Sequence, residues 1–117
     1  MTSTNLYTKF TTFRPEGFLS AANASEFLER LTVEVTSSVD SALLVNMEAV
    51  EFMDSAGLMA LIKAFKLSES LGRRFGICSL APSVRIMFEL TQLDKAFEIF
   101  EDCNAFEITV NQLKSNH

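Results

Sequence analysis

With 117 residues the chain is one domain by length, spanning residues 1–117, and can bury roughly two-thirds of the surface its unfolded form exposes. Hydrophobic residues make up 48% and charged residues 21%, and a net charge of −5 without a Lys/Arg cluster argues against direct nucleic-acid binding, because phosphate neutralisation supplies most of that affinity. No apolar run approaches the about 18–20 residues of a membrane span, and Met1 to Asn5 has neither the basic nor the apolar region of a secretory leader, so a cytoplasmic protein is expected.

The alternation from Tyr7 to Phe13, rich in Thr and aromatic residues, predicts a strand. Arg14-Pro15-Glu16-Gly17 reads as a turn, with Phe18-Leu19 returning as a short second strand of an N-terminal hairpin. Ser20 to Asn23 offers helix-capping chemistry, and Ala24, Phe27, Leu28, Leu31 and Val35 recur at helical spacing up to Thr36-Ser37-Ser38. Ala42 to Val45 is a continuous apolar run, expected as a strand buried on both faces, and the acidic stretch that follows it reads as a solvated loop.

A long helix then starts near Ser55. Stepping about 100° per residue gathers Leu58, Leu61, Ile62 and Phe65 on one side, widened by Ala60, Ala64, Leu67 and Leu71. Met59, Lys63, Lys66 and Ser70 form the remaining strip, with Ser55 at its edge. Gly72 ends the helix, and Arg73-Arg74 reads as solvated charge after it. Phe75 to Leu80 is another buried strand. Pro82 opens a third helix with Val84, Met87, Phe88 and Thr91 inward, and Ala96 to Phe100 is a last strand. Asp102 caps a terminal helix with Cys103, Phe106, Val110 and Leu113 on one face. Apolar strands alternating with amphipathic helices predict an α/β fold: a small, mixed, mostly parallel sheet of four to five strands with about four helices and the hairpin at an edge. Eleven Phe with no Trp and a single Tyr are expected mainly as core filler.

Little in the chain supports catalysis. Ser55 lacks the G-x-S-x-G frame of a nucleophile elbow, since Met53 stands at the first glycine position, and the only histidine is the terminal His117. Neither phosphate-binding glycine pattern is present. Cys78 and Cys103 have no metal-ligand spacing and read as buried free thiols, so neither metal nor cofactor is expected. Glu48, Glu51 and Asp54 would need a pocket that splits their pKa values before they could do acid–base work. What remains is a binding module. A serine at a helix N-terminus is also placed where a phosphoryl group would meet unsatisfied N–H groups and the positive end of the dipole.

The stretch Leu44-Val45-Asn46-Met47-Glu48-Ala49-Val50-Glu51-Phe52-Met53-Asp54-Ser55-Ala56-Gly57-Leu58 resembles the signature of the STAS domain, and within it the bacterial anti-sigma factor antagonists. The likeness extends to Gly17-Phe18-Leu19 with Ala21 and Ala24, and to Gly72 through Leu80, Val84, Phe88 and Leu90-Thr91-Gln92-Leu93. The resemblance implies that Ser55 is phosphorylated by a partner that is both a serine kinase and an anti-sigma factor, that the unphosphorylated form binds this partner and frees a sigma factor, and that a phosphatase resets the switch. It implies further that Asp54 neighbours the acceptor in the docking loop, that Asn46 is the polar residue at the strand end, and that Gly57 keeps side-chain bulk away from the partner. Ser20 stands where the family often has Asp, and Ala56 where many members have a second serine. The expected partner-binding set is Ser20, Asn46, Asp54, Ala56, Gly57, Met59, Lys63 and Lys66, Met59 being suited to an adaptable contact. The alternatives are a STAS module in a phosphatase-controlled or lipid-transport assembly, or a small-molecule or nucleotide sensor at the Ser20/Asn46/Ser55 end.

Overall fold

A computed structural model describes residues 9–115, with side chains described as far as Asn111. Expectations for Tyr7, for His117 and for the inward side chain of Leu113 lie outside those residues. The elements are β1 (Thr11–Phe13), β2 (Glu16–Leu19), α1 (Ala24–Ser37), β3 (Ala42–Asn46), β4 (Ala49–Met53), α2 (Ser55–Ser70), β5 (Arg74–Cys78), α3 (Pro82–Leu90), a 3-10 turn (Leu93–Lys95), β6 (Glu98–Phe100) and α4 (Cys103–Ser115). Strands β1-β3-β5-β6 form one sheet, β2-β4 a second, and every pairing is parallel.

Two expectations about the strands change. The N-terminal strands do not form a hairpin: β1 pairs with β3 and β2 with β4, because parallel partners separated by a helix carry the matching apolar faces. The acidic stretch is strand β4 rather than a loop. Val50 and Met53 face the core while Glu51 and Phe52 are exposed, so alternation fails and the strand is hidden from a period-two reading.

β3 divides the core by alternation. Leu43 and Val45 join Phe75, Ile77 and the inner faces of α1, α2 and α3, whereas Ala42 and Leu44 join Cys78, Phe106 and Val110 beneath α4. Phe106 is fully buried, an apolar transfer worth roughly 2–3 kcal/mol. Its ring fills a hollow over Gly76, where an added Cβ would come within 2.5–2.7 Å of ring carbons.

The helix ends follow from their chemistry. Gly72 takes φ +71 after α2, its N–H donating to the Glu69 carbonyl, while Pro82 occupies the first turn of α3. The Asp102 carboxylate accepts the Ala105 N–H at 2.8 Å. Ser20 does not cap α1. The N-cap is Asn23, whose side chain instead turns back, accepting from the Ser20 N–H at 2.9 Å and donating to the Phe18 carbonyl at 2.7 Å. Thr91 is exposed at the end of α3 rather than inward, its hydroxyl donating to the Met87 carbonyl. Arg73 and Arg74 are not free charges. Arg73 donates to the carbonyls of Ser38 and Asp40, and Arg74 makes a two-pronged contact to Glu98 at 2.6 and 2.8 Å, tying β5 to β6.

Candidate functional site

β2 and β4 deliver the chain to the start of α2 side by side. The Asp54 N–H donates to the Leu19 carbonyl at 3.1 Å, so the last residue of β2 holds the residue that precedes Ser55. Asp54 is the N-cap of α2. One carboxylate oxygen accepts from the N–H groups of Ala56 (2.9 Å) and Gly57 (3.1 Å), the other from Ala21 in the β2–α1 loop (3.1 Å). The hydrogen bond from Gly57 is the main reason its pKa lies below the ordinary aspartate value, with Ala21 and Ala56 adding to it against a smaller cost of desolvation.

Ser55 is the first residue of α2. It is exposed, and its hydroxyl makes no hydrogen bond among the described residues. The expectation that a phosphoryl group would find unsatisfied helix N–H donors here narrows to the N–H of Ser55, which has no partner among the described residues. Those of Ala56 and Gly57 are held by Asp54, and that of Leu58 donates to the Asp54 carbonyl. A group added to Ser55 therefore meets an occupied cap and an ionised carboxylate, and projects outward.

Gly57 also has a different role from the one expected. It is buried, and a Cβ there would strike the Leu19 carbonyl, with the Leu19 carbonyl carbon and Cβ each 3.0 Å away. The missing side chain makes room for the backbone of β2, not for a partner. Asn46, at the end of β3, accepts the Glu48 N–H at 3.0 Å and so shapes the turn into β4. Ser20 and Ala56 are half-buried on either side of Asp54, and the Ser20 hydroxyl accepts the Ala22 N–H at 3.4 Å.

Along α2, Met59 is 51% exposed and Lys63 and Lys66 are exposed, while Leu58, Ala60, Leu61 and Ala64 are buried. Neither lysine makes an ion pair among the described residues. Ala56, Met59, Ala60 and Lys63 form one wall of a shallow groove of about 240 Å³ whose other wall is Ala24, Ser25 and Leu28 of α1. The α1 wall was not legible in the sequence, since only the packing of the two helices brings it alongside. Among the described residues no group of His, Cys, Asp or Glu could hold a metal ion, and no helix is long and apolar enough to cross a membrane.

Sequence reasoning also missed Phe18 and Phe52. They are register partners across β2 and β4, 59% and 47% exposed, with ring centroids 5.8 Å apart. The ladder slips between Gly17 and Phe18, so Gly17 faces Val50 whereas Phe18 faces Phe52, and Glu51 is the extra residue of a bulge. That slip turns Phe52 outward and Met53 inward. No residue pattern announces it.

Comparison with known proteins agrees with this geometry. The profile of the STAS domain matches residues 3–105. The anti-sigma-F factor antagonist RsfB of Mycobacterium tuberculosis, found in two strains, is 35% identical over 75 residues, which is 62% of this chain and 59% of the relative. The match thus spans about three-fifths of the length of these curated relatives. An anti-sigma factor antagonist from Mycobacterium paratuberculosis has a crystal structure that superposes with a TM-score of 0.78 at 25% identity, covering 86% of this chain and 85% of that one. The Bacillus cell fate determinant SpoIIAA, in its phosphorylated form, shares the fold with a TM-score of 0.64 at 17% identity, over 86% of this chain and 90% of the other.

Proposed function

The chain belongs to the STAS domain family, and on that footing we propose that it is an anti-sigma factor antagonist whose binding is switched by phosphorylation of Ser55. The reading rests on one observation above the others. Ser55 carries a free, exposed hydroxyl at the first position of α2 while the neighbouring Asp54 carboxylate already fills the helix cap. The serine can be modified without unsatisfying any backbone group, and the fold beneath it does not depend on that hydroxyl. The name of the 35%-identical relative and the phosphorylated form of the Bacillus neighbour support the same reading.

In this mechanism the unphosphorylated protein binds an anti-sigma factor that is also a serine kinase and thereby frees a sigma factor. The contact surface is Ser55 with the half-buried Ser20, Asp54 and Ala56, the half-buried Asn46 at the end of β3, and the exposed Met59, Lys63 and Lys66 along α2. Gly57 supports that surface from below. Phosphorylation adds about −1.5 to −2 charges beside Asp54, whose depressed pKa keeps it ionised. Release then follows from charge and bulk at the interface, with no rearrangement of the sheet. A phosphatase restores binding. The protein is a cytoplasmic kinase substrate and not itself an enzyme.

The test is retention of partners from native lysate by wild type, Ser55→Ala and Ser55→Asp. An ATPase-fold serine kinase should be held by the first two and lost with the third. Equal retention by all three would refute the switch. Amide shifts spread throughout the sheet on phosphorylation would refute release by local charge.

A further inference from the structure

The outer face of the β2–β4 pair carries the two most exposed phenylalanines next to the proposed switch, Phe18 and Phe52. Single exposed apolar side chains are ordinary. These two are different in that they are register partners whose rings contact each other, and a bulge gives up one ladder position to keep Phe52 in solvent. The opposite face of the same pair is committed to the core through Leu19 and Met53, so the rings have no place within this chain.

The charges around the rings are mostly negative. Glu16, Glu48 and Glu51 are exposed, and Asp54 follows β4 directly. Arg14 bridges Glu16 and Glu48 at 3.7 Å each, which leaves Glu51, the bulged residue beside Phe52, without an ion pair among the described residues. A second copy of the chain is disfavoured on this face, because a two-fold contact would set the same carboxylates against each other. An exposed aromatic pair with a free carboxylate fits a flat, weakly hydrated cation, which can lie on a ring face while it pairs with the carboxylate.

We propose that Phe18, Phe52 and Glu51 form a docking platform for an arginine carried on an apolar segment of the same protein partner that recognises Ser55. The identity of that partner rests on the function proposed above; the chemistry of the platform does not. It lies on the strand side of Ser55, opposite in charge to the Met59/Lys63/Lys66 strip, so the two surfaces together would fix the partner's orientation on the switch.

The test is a titration of the isotope-labelled full chain with two capped tripeptides, acetyl-Leu-Arg-Leu-amide and acetyl-Leu-Glu-Leu-amide, followed by amide chemical shifts. The arginine peptide should move the signals of Gly17, Phe18, Glu51 and Phe52, and the glutamate peptide should leave them in place. Glu51→Lys should weaken the arginine peptide by about tenfold, Glu51→Gln by less, and Phe18→Ser should abolish its effect. Equal response to both peptides, no response at these four residues, or broadening that grows with protein concentration in the absence of peptide would overturn the platform. Loss of kinase retention by Ser55→Asp bears on the switch alone. A bound arginine peptide with an unresponsive Ser55→Asp would therefore sink the switch and leave the platform standing.

Discussion

Replacing Gly57 with alanine tests whether the switch region is built on the close approach of β2 and α2. In an ordinary helix the substitution helps, by about 0.5–1 kcal/mol, because alanine loses less backbone entropy on folding. Here the new methyl would lie 3.0 Å from the Leu19 carbonyl carbon and from its Cβ, and nearer still to the carbonyl oxygen. Leu19 cannot step aside cheaply. Its oxygen accepts the Asp54 N–H at 3.1 Å, and its side chain is 3% exposed within the core. Forcing a methylene into such a site costs about 1–3 kcal/mol, and weakening the hydrogen bond adds about 1 kcal/mol. After the helical gain is subtracted, a net destabilisation of about 1–3 kcal/mol is expected, or roughly 4–12 °C in Tm for a domain of this size. Urea unfolding followed by circular dichroism should show a lower midpoint with an unchanged slope. A Gly57→Ala protein as stable as wild type, or more so, would refute the reasoning, since helix propensity would then outweigh the proposed contact.

Other outcomes follow from the same geometry. Met59→Glu should abolish retention of the kinase while shifting Tm by less than about 2 °C, because the side chain is half exposed; a large fall in Tm would place Met59 in the core instead. Asp54 has a lowered pKa when folded, so its contribution to stability is complete above the ordinary aspartate value and is lost as pH falls through the folded value. Urea midpoints measured from pH 5 downward should therefore fall less steeply below about pH 4 in Asp54→Asn than in wild type. Burial pushes both thiols up, that of Cys78 together with the neighbouring Cys103 and acidic groups, that of Cys103 together with Glu107 and Asp102. Native protein should react slowly with a thiol reagent at pH 8, with the half-buried Cys103 ahead of the buried Cys78, and unfolding should make both fast.

Much of this was legible where one physical signal dominates. Continuous apolar runs marked β3 and β5, and the helical wheel separated buried Leu58, Leu61 and Ala64 from exposed Met59, Lys63 and Lys66. Where two signals compete, reading failed. β4 carries two core residues and two exposed ones out of alternation, because its bulge shifts the period midway. Pro15 and Gly17 imitate a hairpin turn, yet long-range parallel pairing outweighs local turn chemistry. Arg73 and Arg74 look like surplus surface charge until the carbonyls of Ser38 and Asp40 and the carboxylate of Glu98 are brought to them by the fold. Ser55 was found from its position at a helix start. The tie from Asp54 to Ala21 was not, because it joins segments far apart in sequence.

The pairing of β2 with β4 also sets when the surface of the proposed switch comes into being. Residues 16–19 must wait for residues 49–53, with all of α1 and β3 lying between them in the chain. Closing that span costs chain entropy before any contact rewards it, so the pair should assemble after the local helices. During synthesis, a chain from which only α1 has emerged still holds the partner strand inside the ribosome. On the function proposed above, Ser55 takes the shape a kinase would read only once α2 has emerged.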